Sequence, residues 1–373
     1  MAAVLPELLG RPERLPADVP IADCDIHAPT PSIDALGPLL GDHWREVART
    51  TQFRGPTDTA YPPSAETSVH PALLQAGEGI ATVEDASRLA LDARGVEMGV
   101  LACAYAAEAV KNPDAAAVLS RAVNTWLRDE WLAREPRLRG SIVVPGLDPA
   151  EAVRVVDEFG EDPRFAHVLL PVRSLAPYGN RIWLPLLEAV QRRGLVVALQ
   201  FGGAPGHPTT SVGWPSTYFE EYVDMPSAFQ AQLMSLVAEG VFDRLPGLRV
   251  LCLESGFGWV PAFMWRFDRL WRGLRREIPW TRRPPAAYLR DHVRLSTQPF
   301  DVPARPGAFE RIVDQMGSER MLCFGSDLPH WQADDADLAI PPIPDGPLLR
   351  AIMAGNLRDL HAEARAGGGA SDG

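Results

Sequence analysis

The chain has 373 residues, 46% hydrophobic and 23% charged, a globular composition long enough to build one large core. A net charge of -12 with no concentrated basic face argues against nucleic acid and against a membrane surface as partners. No apolar run reaches the roughly 20 residues of a membrane span, the start lacks a secretory pattern and the four cysteines form no CxxC pair, so a cytoplasmic protein with reduced thiols is expected.

In chain order, eight short runs rich in Val, Leu and Ile read as strands. They are Ala22 to Ile26, Met98 to Ala102, Gly140 to Val144, Ala166 to Leu170, Val196 to Leu199, Leu248 to Leu253, His292 to Ser296 and Met321 to Phe324. Helical stretches follow most of them: Asp114 to Arg134, Pro149 to Phe159, Ile182 to Arg192, Ser227 to Phe242, Val260 to Arg275 and Pro306 to Met316. Thr82 with Asp85 has the spacing of a capping box. Strands alternating with helices are parallel strands joined by crossovers, and eight such units fit a closed barrel better than an open sheet.

The expected fold is therefore α/β, a single-domain (β/α)₈ TIM barrel over residues 21–365, with an N-terminal extension over 1–20 and a disordered tail over 366–373. Two βα loops are long, Thr50 to Ile80 after the first unit and Gly202 to Pro226 after the fifth strand. Because βα loops build the active site of a barrel, both are expected to act as lids.

Three strand ends carry chemistry. The first ends Asp23-Cys24-Asp25-Ile26-His27, where period-2 geometry puts Asp25 and His27 on one side, a carboxylate and an imidazole able to chelate one divalent ion. The sixth ends at Glu254 beside glycines, and the eighth runs Gly325-Ser326-Asp327-Leu328-Pro329-His330, placing an acid and an imidazole three apart at the mouth. Arg173, after the fourth strand, suits a substrate carboxylate through two parallel bonds, and Arg266 is a weaker candidate for the same task. In the fifth loop His207, Trp214 and Tyr218 are candidate substrate contacts, though these aromatics equally suit packing on neighbouring helices or against a second subunit in a homodimer. His43, His167, His292 and His361 read as structural, and the lone lysine, Lys111, as a solvated loop cation.

Taken together, DCDIH at the first strand, LLPVR at 169 to 173, VVALQFGG at 196 to 203, VLCLESGFGWVP at 250 to 261, VRLSTQP at 293 to 299 and FGSDLPHW at 324 to 331 resemble the amidohydrolase superfamily. The resemblance is to the branch holding aminocarboxymuconate-semialdehyde decarboxylase and related aromatic-acid decarboxylases, hydratases and lactonases, and it covers roughly Ile21 to Leu360. It implies a mononuclear site in which Asp25, His27 and Asp327, together with Gln200, hold the ion, with Asp327, Glu254 and His330 in catalytic roles. Gln200 stands where the branch has a metal-binding histidine, and Glu254 where it has a histidine that orients water. An amide oxygen is a poorer zinc ligand than imidazole, and carboxylates suit harder ions, so zinc, manganese and magnesium all remain open.

The function expected is metal-dependent hydrolysis of a small amide or lactone bearing a carboxylate, hydrolysis being the broader class. The alternative is non-oxidative decarboxylation of an aromatic or cyclic acid. Further alternatives are a metal-free lactonase and an inactive barrel that binds a ligand.

Overall fold

Every apolar run named above forms a strand, and the eight strands make one parallel sheet in chain order. This computed structural model describes residues 9–56, 69–203, 208–330, 333 and 340–369. The strands are β1 (Ile21–His27), β2 (Val96–Ala102), β3 (Leu138–Val143), β4 (Phe165–Pro171), β5 (Val196–Gln200), β6 (Val250–Leu253), β7 (Val293–Ser296) and β8 (Leu322–Cys323). The residues following β8 close the sheet onto β1, through Cys24 N to Phe324 O at 2.9 Å, Asp327 N to Asp25 O at 2.9 Å and His27 N to Leu328 O at 2.7 Å. The result is the expected (β/α)₈ barrel.

A helix follows each strand from β2 onward: α1 (Pro113–Trp126), α2 (Pro149–Phe159), α3 (Leu184–Arg192), α4 (Tyr218–Ala238), α5 (Val260–Leu274), α6 (Ala308–Met316) and α7 (Asn356–Gly368). Side-chain alternation separates two layers of core. Ala22, Val100, Ala198, Leu251 and Cys323 pack inside the barrel, whereas Ile21, Leu101, Val197, Val250 and Leu322 face the helices. All four cysteines are buried and unbridged. No helix among the described residues is long and apolar enough to cross a membrane.

Two expectations about element boundaries need correction. Helix α4 begins nine residues before the expected Ser227, because Thr217 and Glu220 form a reciprocal capping box and the helix continues through Pro226. The last nine residues assigned to the fifth loop are therefore helix. The capping box at Thr82 and Asp85 forms as expected.

The second correction is at the C-terminus, where residues taken for a disordered tail continue α7 through Gly367 and Gly368. Ala354, Leu357, Leu360 and Ala364 join the inner core layer, so the chain's last helix seals the bottom of the barrel. Polar partners are drawn from strand N-termini around the ring. Arg358 Nη2 donates to Glu97 at 2.5 Å, the imidazoles of His361 and His167 meet at 2.9 Å, and Glu363 pairs with Arg249 at 2.9 Å, Arg294 at 3.5 Å and Arg320. Only glycine fits at Gly367, where a Cβ would lie 2.6 Å from Gly247 Cα. His167, His292 and His361 are buried as structural histidines, whereas His43 is exposed beside Trp44.

Candidate metal centre

The phase of β1 changes inside its acidic motif. Between Asp23 and Ile26 it advances three residues while β2 advances two, from Gly99 to Leu101, so β1 carries one extra residue there. Strict alternation, on which the sequence reasoning relied, thus fails locally. Asp23 supports the bulge from below, its Oδ1 accepting from Asp25 N and Ser326 N at 3.0 Å each, and burial pushes its carboxyl up to about 6.

Above it the strand ends converge. One ligand atom each from Asp25, His27, Glu254 and Asp327 can be chosen so that all lie within 4.8 Å of one another. His27 Nε2 lies 2.9 Å from Asp327 Oδ1, 3.4 Å from Glu254 Oε1 and 3.5 Å from Asp25 Oδ1. His330 stacks on His27 with centroids 5.0 Å apart and planes 8° apart, and its Nδ1 lies 3.4 Å from Asp327 Oδ2. Gln200, buried at the end of β5, donates through Nε2 to Glu254 Oε1 at 3.0 Å and approaches His27 Nε2 at 3.4 Å. Two of the carboxylates are delivered by backbone in the left-handed region, Glu254 at φ 56° and Asp327 at φ 57°. Such residues cost on the order of 1 kcal/mol or more and concentrate where side-chain direction matters.

The electrostatics call for a cation. At 4.8 Å and an effective dielectric constant near 20, a pair of carboxylates repels by about 3.5 kcal/mol. The protein answers with protons: burial raises the Asp25 carboxyl well above its usual range, and the neighbouring Asp327, Glu254 and Asp25 overcome burial to hold the His27 imidazole well above its own. Both Asp25 oxygens and Glu254 Oε2 are buried without a hydrogen-bond partner. Acceptors left over in a cluster of three acids and an imidazole are the donor set of a divalent-ion site, and the residues present fit one.

A partly open pocket adjoins the cluster. Gln200 is the wall they share, and the rest of the cavity lies over the C-terminal ends of β2 to β5, lined by Cys103, Tyr105, Val143, Leu169 and Phe201 among others.

The remaining candidates scatter. Arg173 is 5% exposed, but its Nη1 donates to Glu221 on α4 at 2.7 Å, its Nε donates to Thr209 O at 3.2 Å, and its guanidinium stands 5.9 Å from the Phe201 ring centre; Nη2 alone is left unpartnered. Trp214 is 65% exposed. Tyr218, at the start of α4, stacks on Tyr222 at 5.7 Å and meets Phe201 edge-on at 6.2 Å. Arg266 is exposed on α5, and His207 lies outside the described residues. Sequence reasoning missed Tyr222, whose phenol is held un-ionised by burial and by the charges of Glu254 and Asp327. Its signal was the spacing of four from Tyr218, which places both rings on one helix face once α4 is known to start there.

A family model described as amidohydrolase matches residues 22–357. The chain is 26% identical over 275 residues to a gamma-resorcylate decarboxylase of Rhodococcus jostii, covering 66% of this chain and 77% of the relative. It is 23% identical over 276 residues to a gamma-resorcylate decarboxylase of Polaromonas sp., covering 68% and 79%. Among solved structures, a dihydroxybenzoic acid decarboxylase from Polaromonas sp. with bound manganese and the inhibitor 2-nitroresorcinol superposes with a TM-score of 0.65 at 20% identity, covering 94% of this chain and 98% of that one.

Proposed function

From the chain's membership of the amidohydrolase family, shown by a match over most of its length, we propose that this enzyme is a metal-dependent carboxy-lyase releasing carbon dioxide from a small aromatic acid. The observation that carries this reading is a largely apolar pocket opening beside a cluster of acids and imidazoles, in a chain whose matched relatives are decarboxylases. It displaces the expectation of simple hydrolysis.

Asp25, His27, Glu254 and Asp327 would hold the ion, with Gln200 beside them; manganese suits this oxygen-rich set and is the metal bound by one structural relative. When bound, a divalent ion there would supply positive charge that offsets a substrate carboxylate, so the acid end would lie at the cluster. The ring then extends over β2 to β5 into the apolar cavity, where Phe201 and Leu169 exclude water. Asp327, whose carboxyl the flanking His330 and His27 hold below its usual range against burial, takes a proton from His330 and delivers it to the ring carbon that bears the carboxylate. The bond to the carboxyl carbon breaks, its electron pair returns to the ring, and carbon dioxide leaves.

The test is direct assay of carbon dioxide from the manganese-loaded enzyme with a panel of benzoates carrying ring hydroxyls. Release that stops on chelation supports the reading. Hydrolysis of amides or lactones without any carbon dioxide from the acids would overturn it.

A further inference from the structure

The motif Asp23-Cys24-Asp25-Ile26-His27 brings two aspartates to the end of β1, and only the second joins the metal cluster. Asp23 is wholly buried, and its Oδ2 has no hydrogen-bond partner. A buried carboxylate with an idle oxygen costs free energy that an apolar side chain of the same size would not. Its other oxygen shows what that cost supports.

Asp23 Oδ1 accepts two backbone N–H groups, each at a point where regular strand pairing is interrupted. The first is Asp25 N at 3.0 Å, inside the bulge where β1 gains a residue on β2. The second is Ser326 N, also at 3.0 Å. Strand β8 is only Leu322–Cys323, so Ser326 and Asp327 lie beyond its end, before the bridge between Leu328 and Ile26. One carboxylate oxygen thus joins the two segments from which Asp25 and Asp327 present their own carboxylates. The direct backbone bond between them, Asp327 N to Asp25 O at 2.9 Å, leaves each peptide able to pivot about it. The second anchor at Asp23 removes that freedom. The two segments also touch: a Cβ on Gly325 would lie 3.1 Å from Cys24 Sγ and 3.3 Å from Asp25 Cβ.

We propose that Asp23 is a positioning residue of the metal centre, which sets affinity for the ion by fixing Asp25 against Asp327 through Oδ1. Oxygen ligands must stand at set distances from a divalent ion, so drift between two of them weakens binding. Asp23 acts through those two ligands, whether the centre decarboxylates or hydrolyses.

The experiment is calorimetric titration of metal-stripped protein with manganese, on the parent, Asp23→Ala and Asp23→Asn, at a temperature where circular dichroism shows all three folded. Removing a group that orients metal ligands typically costs about 10- to 100-fold in affinity, and Asp23→Ala should fall in that range. In Asp23→Asn the amide oxygen still accepts both N–H groups, so affinity should stay close to the parent's. The rise in melting temperature on adding manganese should likewise shrink in Asp23→Ala and persist in Asp23→Asn. Should Asp23→Ala be recovered unfolded, Asp23→Leu, which fills the space without an acceptor, takes its place. A lowered melting temperature with parental manganese affinity in the variant lacking an acceptor would show a role in the fold alone and overturns the proposal. An equal loss of affinity in Asp23→Asn also overturns it, because charge and not placement would then be at work. A parent that binds no divalent ion overturns the metal centre itself, and the role of Asp23 with it.

Discussion

Replacing Gln200 by histidine probes the metal centre at its most unusual position. The amide nitrogen lies 3.0 Å from Glu254 Oε1 and 3.4 Å from His27 Nε2, so the tip of this side chain already stands among the ligands. Imidazole offers a nitrogen there that zinc prefers, whereas the parental set of three acids, one histidine and an amide suits manganese or magnesium. The substitution also breaks a hydrogen bond to a charged acceptor, about 1.5 to 3 kcal/mol, but that loss applies to every metal alike and cancels in a ratio of affinities. We expect the zinc-to-manganese affinity ratio to rise at least tenfold, about 1.4 kcal/mol. Calorimetric titration of metal-stripped parent and Gln200→His with each ion reads it. An unchanged ratio would show that residue 200 does not face the bound ion, and the placement of the metal among Asp25, His27, Glu254 and Asp327 would lose its support.

Three further outcomes are expected. Asp327→Asn keeps the left-handed backbone at φ 57°, which asparagine tolerates well, but removes charge and proton; turnover should fall by about 1000-fold or more with an unchanged circular dichroism spectrum, and near-parental kcat would refute both roles of Asp327. Glu363→Gln strips the anion from Arg249 and from Arg294, which is 0% exposed, and should cost about 2 to 3 kcal/mol by urea denaturation, the exposed part of the network reducing the value for a fully buried pair; a loss under about 0.5 kcal/mol would mean the barrel floor does not depend on it. Burial holds His292 neutral, down to about 4, so the unfolded chain takes up a proton near pH 6.5 that the folded chain refuses, and this contribution is complete above that pH and lost as pH falls toward 4. Between pH 8 and pH 5 the parent should lose about 2 kcal/mol more than His292→Asn, and equal losses would refute the assignment.

The barrel was legible because a strand covered on both faces must be largely apolar, and most of the eight runs meet that demand. Asp25, His27, Glu254 and Asp327 were legible for the same reason, since polar residues ending such runs have nowhere to go but the mouth. What escaped reading depended on partners distant in sequence or on local backbone. Pro226 looked like a helix boundary, yet the capping box at Thr217 had already started the helix upstream. Gly367 and Gly368 read as a flexible tail because glycine is ambiguous in a sequence; in the fold they allow α7 to touch Gly247 and the turn before β5. The extra residue between Asp23 and Ile26 leaves no signature that period-2 counting can detect.

The central claim is that this centre cleaves a carbon–carbon bond by protonating a ring carbon, and running the reaction in deuterium oxide tests it most directly. With the manganese-loaded enzyme and a hydroxylated aromatic acid it turns over, carbon dioxide should be released and the product should carry one deuterium at the carbon that lost the carboxylate, as read by mass spectrometry and proton NMR. Asp327→Asn should yield neither. A product that retains its carboxylate, or one that gains water across a cleaved amide or lactone, would contradict the account.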